Sequence, residues 1–389
     1  MGQGEKDNVA TRKESQSADR ITEKSPPTFG QTVLVMQGGG ALGAYHAGVY
    51  HALHEAGIEP DWVIGTSIGA INGAIIAGNE PAVRLERLQE FWDRVGHRGP
   101  LDERWTPAAF LDAFAKMSTT TQGVNGFYKP NMSAMMGVQT KVGIDRASFY
   151  STDPLKSTLL ELLDFDYVNA KHMRLTVGAV NARTGDMRYF DSREMVLGTE
   201  HVMASGALPP GFPAVRIEGE PYWDGAIYSN TPVEVVLDDN PRRDSLIFSV
   251  NVWQPHGSEP QSLWQVLTRQ EEIVYSSRAK SHVARQEQIH RMRHIITQLA
   301  SLLPEDKRSD PKIRALTAYG CRTTMHIANL LAPRLDNEDH TKAIDFSRAG
   351  IRARWQAGLN QARRMIAEKP WMGEFDPLHG VIVHESIEM

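Results

Sequence analysis

Trp62-Val63-Ile64-Gly65-Thr66-Ser67-Ile68-Gly69-Ala70-Ile71-Asn72-Gly73-Ala74-Ile75-Ile76-Ala77 joins a short apolar strand to a glycine-bracketed serine and then to a helix apolar nearly all round. The glycines two before and two after Ser67 leave room for a sharp strand-to-helix turn. Such a turn exposes the hydroxyl at a helix N-terminus, where the backbone dipole favours developing negative charge. The helix has no polar face, so its place is the centre of a domain. Gly-Xaa-Ser-Xaa-Gly alone fits a packed turn as readily as a nucleophile elbow. Its position between an apolar strand and a small-residue helix favours the elbow.

Upstream, residues 32–36 form an apolar run leading into Gly38-Gly39-Gly40-Ala41-Leu42-Gly43, with apolar residues following at 45, 49, 52, 53 and 56. That order predicts a strand, a glycine loop and an amphipathic helix ended by Gly57. Gly38, Gly40 and Gly43 also satisfy the spacing of a dinucleotide site, which needs an acidic residue at the end of the second strand. Glu59 and Asp61 precede that strand and Gly65-Thr66-Ser67 follows it, so the ribose-binding carboxylate is missing. Beside a serine nucleophile the loop has another use: the N–H groups of Gly39 and Gly40, unobstructed by Cβ atoms, are candidates for an oxyanion hole. An amphipathic helix over 81–95 completes a β-α-β-α-α order, which implies a parallel sheet with helices on its faces.

Residues 97–150 break this pattern with Gly, Thr, Asn and four methionines (Met117, Met132, Met135, Met136), and read as an insertion or lid. Further on, the pattern predicts a helix over 154–163, a hairpin of 174–181 and 187–190 around Thr184-Gly185, and a short helix over 202–208. Strands at 214–217 and 221–223 meet Asp224-Gly225, and a buried strand spans 245–252. Residues 262–303 contain no Gly or Pro, enough for one helix of about 60 Å or two joined near Ser276-Ser277. A strand near 326–331 and a helix over 346–369 close the chain.

Two kinds of base compete for Ser67. A Ser-Asp-His order needs a late histidine, and His256, His379 and His384 qualify by position, although none stands at a recognisable strand end. Asp224 would act on Ser67 directly; by itself Asp224-Gly225 reads more readily as a hairpin turn. Desolvation would raise an aspartate's pKa and make it competent to take the hydroxyl proton. His46, one turn into the first helix, is expected to be packed or solvent-facing rather than catalytic.

The ordered motifs Gly38-Gly39-Gly40 with Gly43, Gly65-Thr66-Ser67-Ile68-Gly69 and Asp224-Gly225-Ala226 resemble the patatin-like phospholipases, which use a Ser/Asp dyad. Met203-Ala204-Ser205, Pro209 to Pro213 and Asn230-Thr231-Pro232 resemble segments flanking the family's aspartate, and the likeness covers about residues 32–252. It implies an α/β fold: a patatin-like three-layer sandwich with a central, mostly parallel sheet, plus a mainly helical C-terminal extension. It also implies Ser67 as nucleophile, Asp224 as base, Gly38, Gly39, Gly40 and Gly43 as the oxyanion and substrate-binding loop with Gly39 and Gly40 as oxyanion donors, and Gly65, Gly69, Gly225 and Asn230 as support for the elbow and base loop. The run from Ala41 to Gly48 and the segment from Ser347 to Trp355 are similar to a bacterial branch with an uncharacterised C-terminal extension. Leu42 stands where the family often carries Arg or Lys, and Gln37 where some members carry an acid.

The expected organisation is a disordered tail over 1–29, an acyl hydrolase domain over 30–255 and the extension over 256–389. The tail follows from five basic and five acidic residues with almost no large apolar ones. With no apolar signal core and no stretch near the ~18 apolar residues of a membrane span, the expected location is cytoplasmic, or peripheral at the inner face of the membrane. One cysteine, Cys321, fits a reducing compartment. A net charge of −5 argues against a nucleic-acid partner, and no metal or cofactor is called for. The spans 278–294 and 346–369 carry +4 and +5, leaving −14 for the rest. These basic helices, the first with Ile289, Met292, Ile296 and Leu299 as an apolar stripe, suit either contact with anionic lipid or packing on the acidic remainder. The expected activity is hydrolysis of lipid or acyl esters through an acyl-enzyme. The alternatives are acyl transfer on the same dyad and a non-catalytic membrane- or partner-binding module.

Overall fold

The apolar runs read as strands are buried on both faces, as parallel strands covered by helices must be. A computed structural model describes residues 29–96, 121–133, 137, 139–335, 338 and 341–385. Its main sheet holds β1 (Gln31–Met36), β2 (Trp62–Gly65), β3 (Arg174–Asn181), β4 (Met187–Asp191), β5 (Val215–Ile217), β6 (Glu220–Asp224), β7 (Ser245–Asn251), β8 (Met325–Leu331) and β9 (Val381–Glu385). The order is β9-β8-β7-β1-β2-β3-β6-β5, with β4 also on β3. Pairing is parallel from β9 through to β3 and antiparallel around β4, β5 and β6.

Side-chain alternation divides the core in two. Val63, Leu34, Phe248 and Ala328 form a row across the sheet on one face, packed with α1 (Ala44–Glu55), α2 (Ile68–Ala77) and α3 (Pro81–Val95). Trp62, Val33, Ile247 and Ile327 form the row on the other face, where Val233, Val236 and Leu237 make a smaller core. Helices α4 (Asp153–Leu162) and α5 (Thr199–Ser205) join the larger core. The C-terminal region supplies α6 (Leu263–Leu302), α7 (Arg348–Glu368) and the last two parallel strands, so the sheet runs on beyond residue 255. Among the described residues no helix is long and apolar enough to cross a membrane.

Register brings the site together. β2 pairs with Arg174 to Val177 of β3 and β6 with Ala179 to Asn181, while β4 occupies Thr176 to Val180 on the opposite edge. β2 and β6 therefore share one edge of β3 and run towards each other. Gly65 ends opposite Val177 and Asp224 opposite Ala179. Ser67, two residues past the end of β2, and Asp224, the last residue of β6, thus converge from 157 positions apart in sequence.

Several expectations shift. The segment over 262–303 is one helix of 40 residues. The short helix begins at Thr199 and ends at Ser205, earlier than the periodicity indicated. The hairpin turn beside Asp224-Gly225 lies instead at Glu218-Gly219, both at positive φ. The strand Val381–Glu385 was not expected; its apolar run of three, Val381-Ile382-Val383, is too short to distinguish from a loop until β8 pairs with it. Of the tail expected over 1–29, residues 1–28 lie outside the described residues, as does much of 97–150, including Met117, Met135 and Met136, while Phe29 packs against the larger core. Met132 is exposed, and Lys129–Pro130 pairs with Tyr150–Ser151.

Candidate active site

The elbow forms because two close approaches leave no room for side chains. A Cβ on Gly65 would stand 2.3 Å from Gly69 O, and one on Gly69 would stand 2.3 Å from Met36 O. Helix α2 can therefore start directly over the strand ends, and the turn falls on Ser67 with φ 56 and ψ −125. Positive φ in a non-glycine residue is strain of the kind held at functional turns. It is braced by the Ser67 N–H, which donates to Ser205 O at 3.1 Å and Ser205 Oγ at 3.2 Å. Thr66 Oγ1 donates to Ser229 O, tying the elbow to the segment after Asp224.

The glycine loop lies against this turn. A Cβ on Gly38 would meet Ser67 Cβ at 3.0 Å and Asn230 Oδ1 at 2.3 Å. Gly38 N–H is committed to Asn230 O, while Gly38 O accepts from Asn230 Nδ2 at 3.1 Å and Trp253 Nε1 at 2.8 Å. The N–H groups of Gly39 and Gly40, at the start of the short 3-10 turn Gly40–Gly43 that leads into α1, meet no acceptor among the described residues. Gly40 has φ +58, and Ala343 O would lie 2.3 Å from its Cβ. Gly43 is packed against Ile68, and Asn72 Nδ2 donates to Gly43 O at 2.9 Å.

Asp224 is fully buried at the end of β6. Its Oδ1 accepts from Ala226 N at 2.8 Å, and its own N–H donates to Ala207 O. Burial pushes its carboxyl up to about 7, opposed by the Ala226 N–H and by the Ser67 hydroxyl, which lies within reach. Oδ2 makes no hydrogen bond of regular geometry among the described residues and is left as an open acceptor beside the serine. Gly225 must lack a side chain because its Cβ would stand 2.4 Å from Gly178 O.

The structure thus gathers Gly38, Gly39, Gly40, Gly43, Gly65, Ser67, Gly69, Asp224, Gly225 and Asn230 in one place. Asn230, expected at the bend after Asp224, holds the glycine loop instead. Two of the late histidines stay away: His384 stacks on His326, its hydrogen-bond partner at 3.0 Å, at the far edge of the sheet, and His379 belongs to a nearby turn; His256 is tied by its backbone O, which accepts from Arg334 Nη2 at 3.1 Å. His46 is buried, and desolvation pushes it down to about 3, so it remains neutral. Sequence reasoning missed the roles of Ser205, Asn72 and Gln37. Gln37 Oε1 accepts from Val252 N at 2.6 Å and Trp253 N at 3.0 Å, and its Nε2 donates to Tyr275 O at 3.0 Å. An acid at 37 could not make that last bond. Burial first, then the charges of Asp224 and Glu271, hold the Tyr275 hydroxyl of α6 above its ordinary value, and its ring packs on Trp253 with centroids 5.0 Å apart. Among the described residues no three His, Cys, Asp or Glu side chains converge to hold a metal.

Residues 34–237 match patatin-like phospholipases, and residues 273–378 match a family described as patatin phospholipase. The triacylglycerol lipase ptl3 of Schizosaccharomyces pombe is 35% identical over 112 residues, which are 28% of this chain and 21% of that protein. Patatin-like phospholipase domain-containing protein 6 of Homo sapiens is 47% identical over 64 residues, 16% of this chain and 5% of that one. The chain therefore spans about a fifth or less of the length of these relatives. The crystal structure of VipD from Legionella pneumophila overlaps 88% of this chain and 68% of its own at 15% identity, with a TM-score of 0.35, too low to support inference. A sequence match that begins within the first strand of the sheet and continues past the buried aspartate, over more than half of the chain, makes this protein a member of the patatin-like phospholipase family.

Proposed function

We propose that the chain is a serine hydrolase of lipid acyl esters, with Ser67 as nucleophile and Asp224 as general base. The observation that carries this reading is the strained Ser67 turn set beside a fully buried carboxylate with one open oxygen. In the first half-reaction Ser67 Oγ bonds to the ester carbonyl carbon while its proton passes to Asp224 Oδ2. The carbonyl oxygen becomes an oxyanion facing the Gly39 and Gly40 N–H groups and the dipole of the helix beyond them. Collapse breaks the ester C–O bond, and the departing alcohol takes the proton from Asp224. Water then repeats the sequence on the acyl-enzyme and restores Ser67.

A carboxyl near 7 suits this work, since a base poised close to the operating pH is ionised yet basic enough to receive the proton. Lipid esters are the proposed substrates because the relatives that share this segment are named as a triacylglycerol lipase and as lysophospholipases. Leu42, buried beside the loop, supplies no cation for a phosphate, so a phosphorylated headgroup draws no help from that position. The test is hydrolysis of a soluble chromogenic medium-chain ester by the full chain and its Ser67→Ala and Asp224→Asn variants. Activity that disappears in both supports the dyad; full activity in either refutes it.

A further inference from the structure

We infer that the outer face of α6 is the surface by which this protein lies on an anionic bilayer. The helix is inside out. Its buried side chains are Glu272, Gln286, His290 and His294. Hydrogen bonds latch them down: Gln286 Nε2 to Asp238 Oδ2 at 2.7 Å, His290 Nε2 with Leu237 O at 3.2 Å, and His294 with Pro377 O and Thr323 O at 2.8 and 2.9 Å. At about 100° per residue, Leu263, Leu267, Val274, Met292, Leu299 and Leu302 fall within roughly one third of the opposite side. All six are exposed, Leu263 and Leu302 by 74% and 73%.

Charge decides what fits this stripe. Arg278 and Arg285 flank it on one side, Lys280 and Arg291 on the other, all four exposed, against Glu271 and Glu287. A second copy laid along the helix would bring basic middle against basic middle. Anionic headgroups complement that middle, and the apolar ends can enter the acyl boundary, the arrangement of an interfacial helix. The placement also serves the site. Arg278 Nη1 donates to Ile227 O at 3.0 Å and also to Tyr228 O, within the loop after Asp224, and Ile227 and Tyr228 are themselves exposed. A bilayer against α6 would therefore meet the mouth of the site, a consequence that rests on the proposed hydrolase reading; docking itself does not.

The test is flotation of the full chain with vesicles of phosphatidylcholine alone or mixed with phosphatidylglycerol, read together with hydrolysis of a soluble ester. Wild type should float with the anionic vesicles and lose binding in high salt. Lys280→Gln, Arg285→Gln and Arg291→Gln combined should weaken partitioning by roughly 100-fold, at about fivefold per basic residue. Leu267→Gln, Met292→Gln and Leu299→Gln combined should weaken it by tenfold or more, with soluble-ester activity unchanged in both variants. Equal flotation of wild type and variants, or no flotation by an active wild type, overturns the proposal. A dimer that the apolar variant converts to monomer in light scattering overturns it in favour of a second copy. Vesicle binding by a chain inactive on esters would leave docking standing and remove the hydrolase reading instead.

Discussion

The two long C-terminal helices are both basic in sequence, yet they meet the rest of the molecule in opposite ways. Helix α7 packs by carbon: it buries Ile351, Leu359, Ala362 and Met365, and it approaches α1 so closely that a Cβ on Gly358 would stand 2.2 Å from Tyr45 O. Its charges are absorbed, Arg354 by Asp345 and Arg363 by Glu55. Helix α6 packs by polar groups and leaves its apolar stripe outside. Charge and periodicity show that a helix is amphipathic; which side faces inward depends on the partners waiting there, here carbonyls and Asp238 for α6 and a glycine-opened helix for α7.

The sharpest way to break this contrast is to remove the buried ion of α6. Glu272 binds Lys342 at 2.6 Å, with Arg269 and Arg334 alongside, and Glu272→Ala would strand Lys342 in the interior. A loss of roughly 3–5 kcal/mol is expected in denaturant unfolding, against less than about 0.5 kcal/mol for the exposed Arg285→Ala. Next in size, Gly358→Leu should cost about 3 kcal/mol or force α7 off α1, while Ala284→Leu on the outer face of α6 should be nearly neutral. Equal effects at the two positions would mean that α6 is covered.

The site itself responds to pH without any change in either helix. With Asp224 as the proposed base, kcat/KM should rise with pH to a plateau above about 7 and fall roughly 100-fold by pH 5, because only the ionised carboxylate can take the proton. Stability runs the other way. The unfolded carboxyl gives up its proton near 4 and the folded one near 7, so the folded state binds more protons between those values and loses stability as pH rises through the window. Asp224→Asn should therefore be more resistant to denaturant than wild type at pH 8, by up to about 4 kcal/mol for a carboxyl raised from near 4 to about 7, a gain that vanishes below pH 4. The smallest effect tests whether α6 positions the base loop: Arg278→Ala should lower kcat about fivefold with the pH midpoint unmoved, near 1 kcal/mol for the lost hydrogen bonds, whereas Arg363→Ala should leave kcat alone.

The glycine loop and elbow were legible because every local signal there agrees: apolar strand, glycines where backbones touch, and a small-residue helix. The strands through β7 followed for the same reason. What could not be read was register. Nothing near Asp224 in sequence says that β6 shares an edge of β3 with β2, and the Asp-Gly pair mimics a hairpin turn that the chain makes six residues earlier at Glu218-Gly219. Asn230 and Gln37 show the same limit, since each acts on a segment distant in sequence. Val381–Glu385 becomes a strand only because β8 offers it an edge.

Trapping with a long-chain fluorophosphonate, followed by peptide mapping, asks most directly whether a buried aspartate activates the elbow serine. The expected adduct is on Ser67, absent in Ser67→Ala, formed at least 100-fold more slowly in Asp224→Asn, and slowed in wild type as pH falls below 7. An adduct on another residue, or labelling of Ser67 at an equal rate in Asp224→Asn, would contradict the dyad.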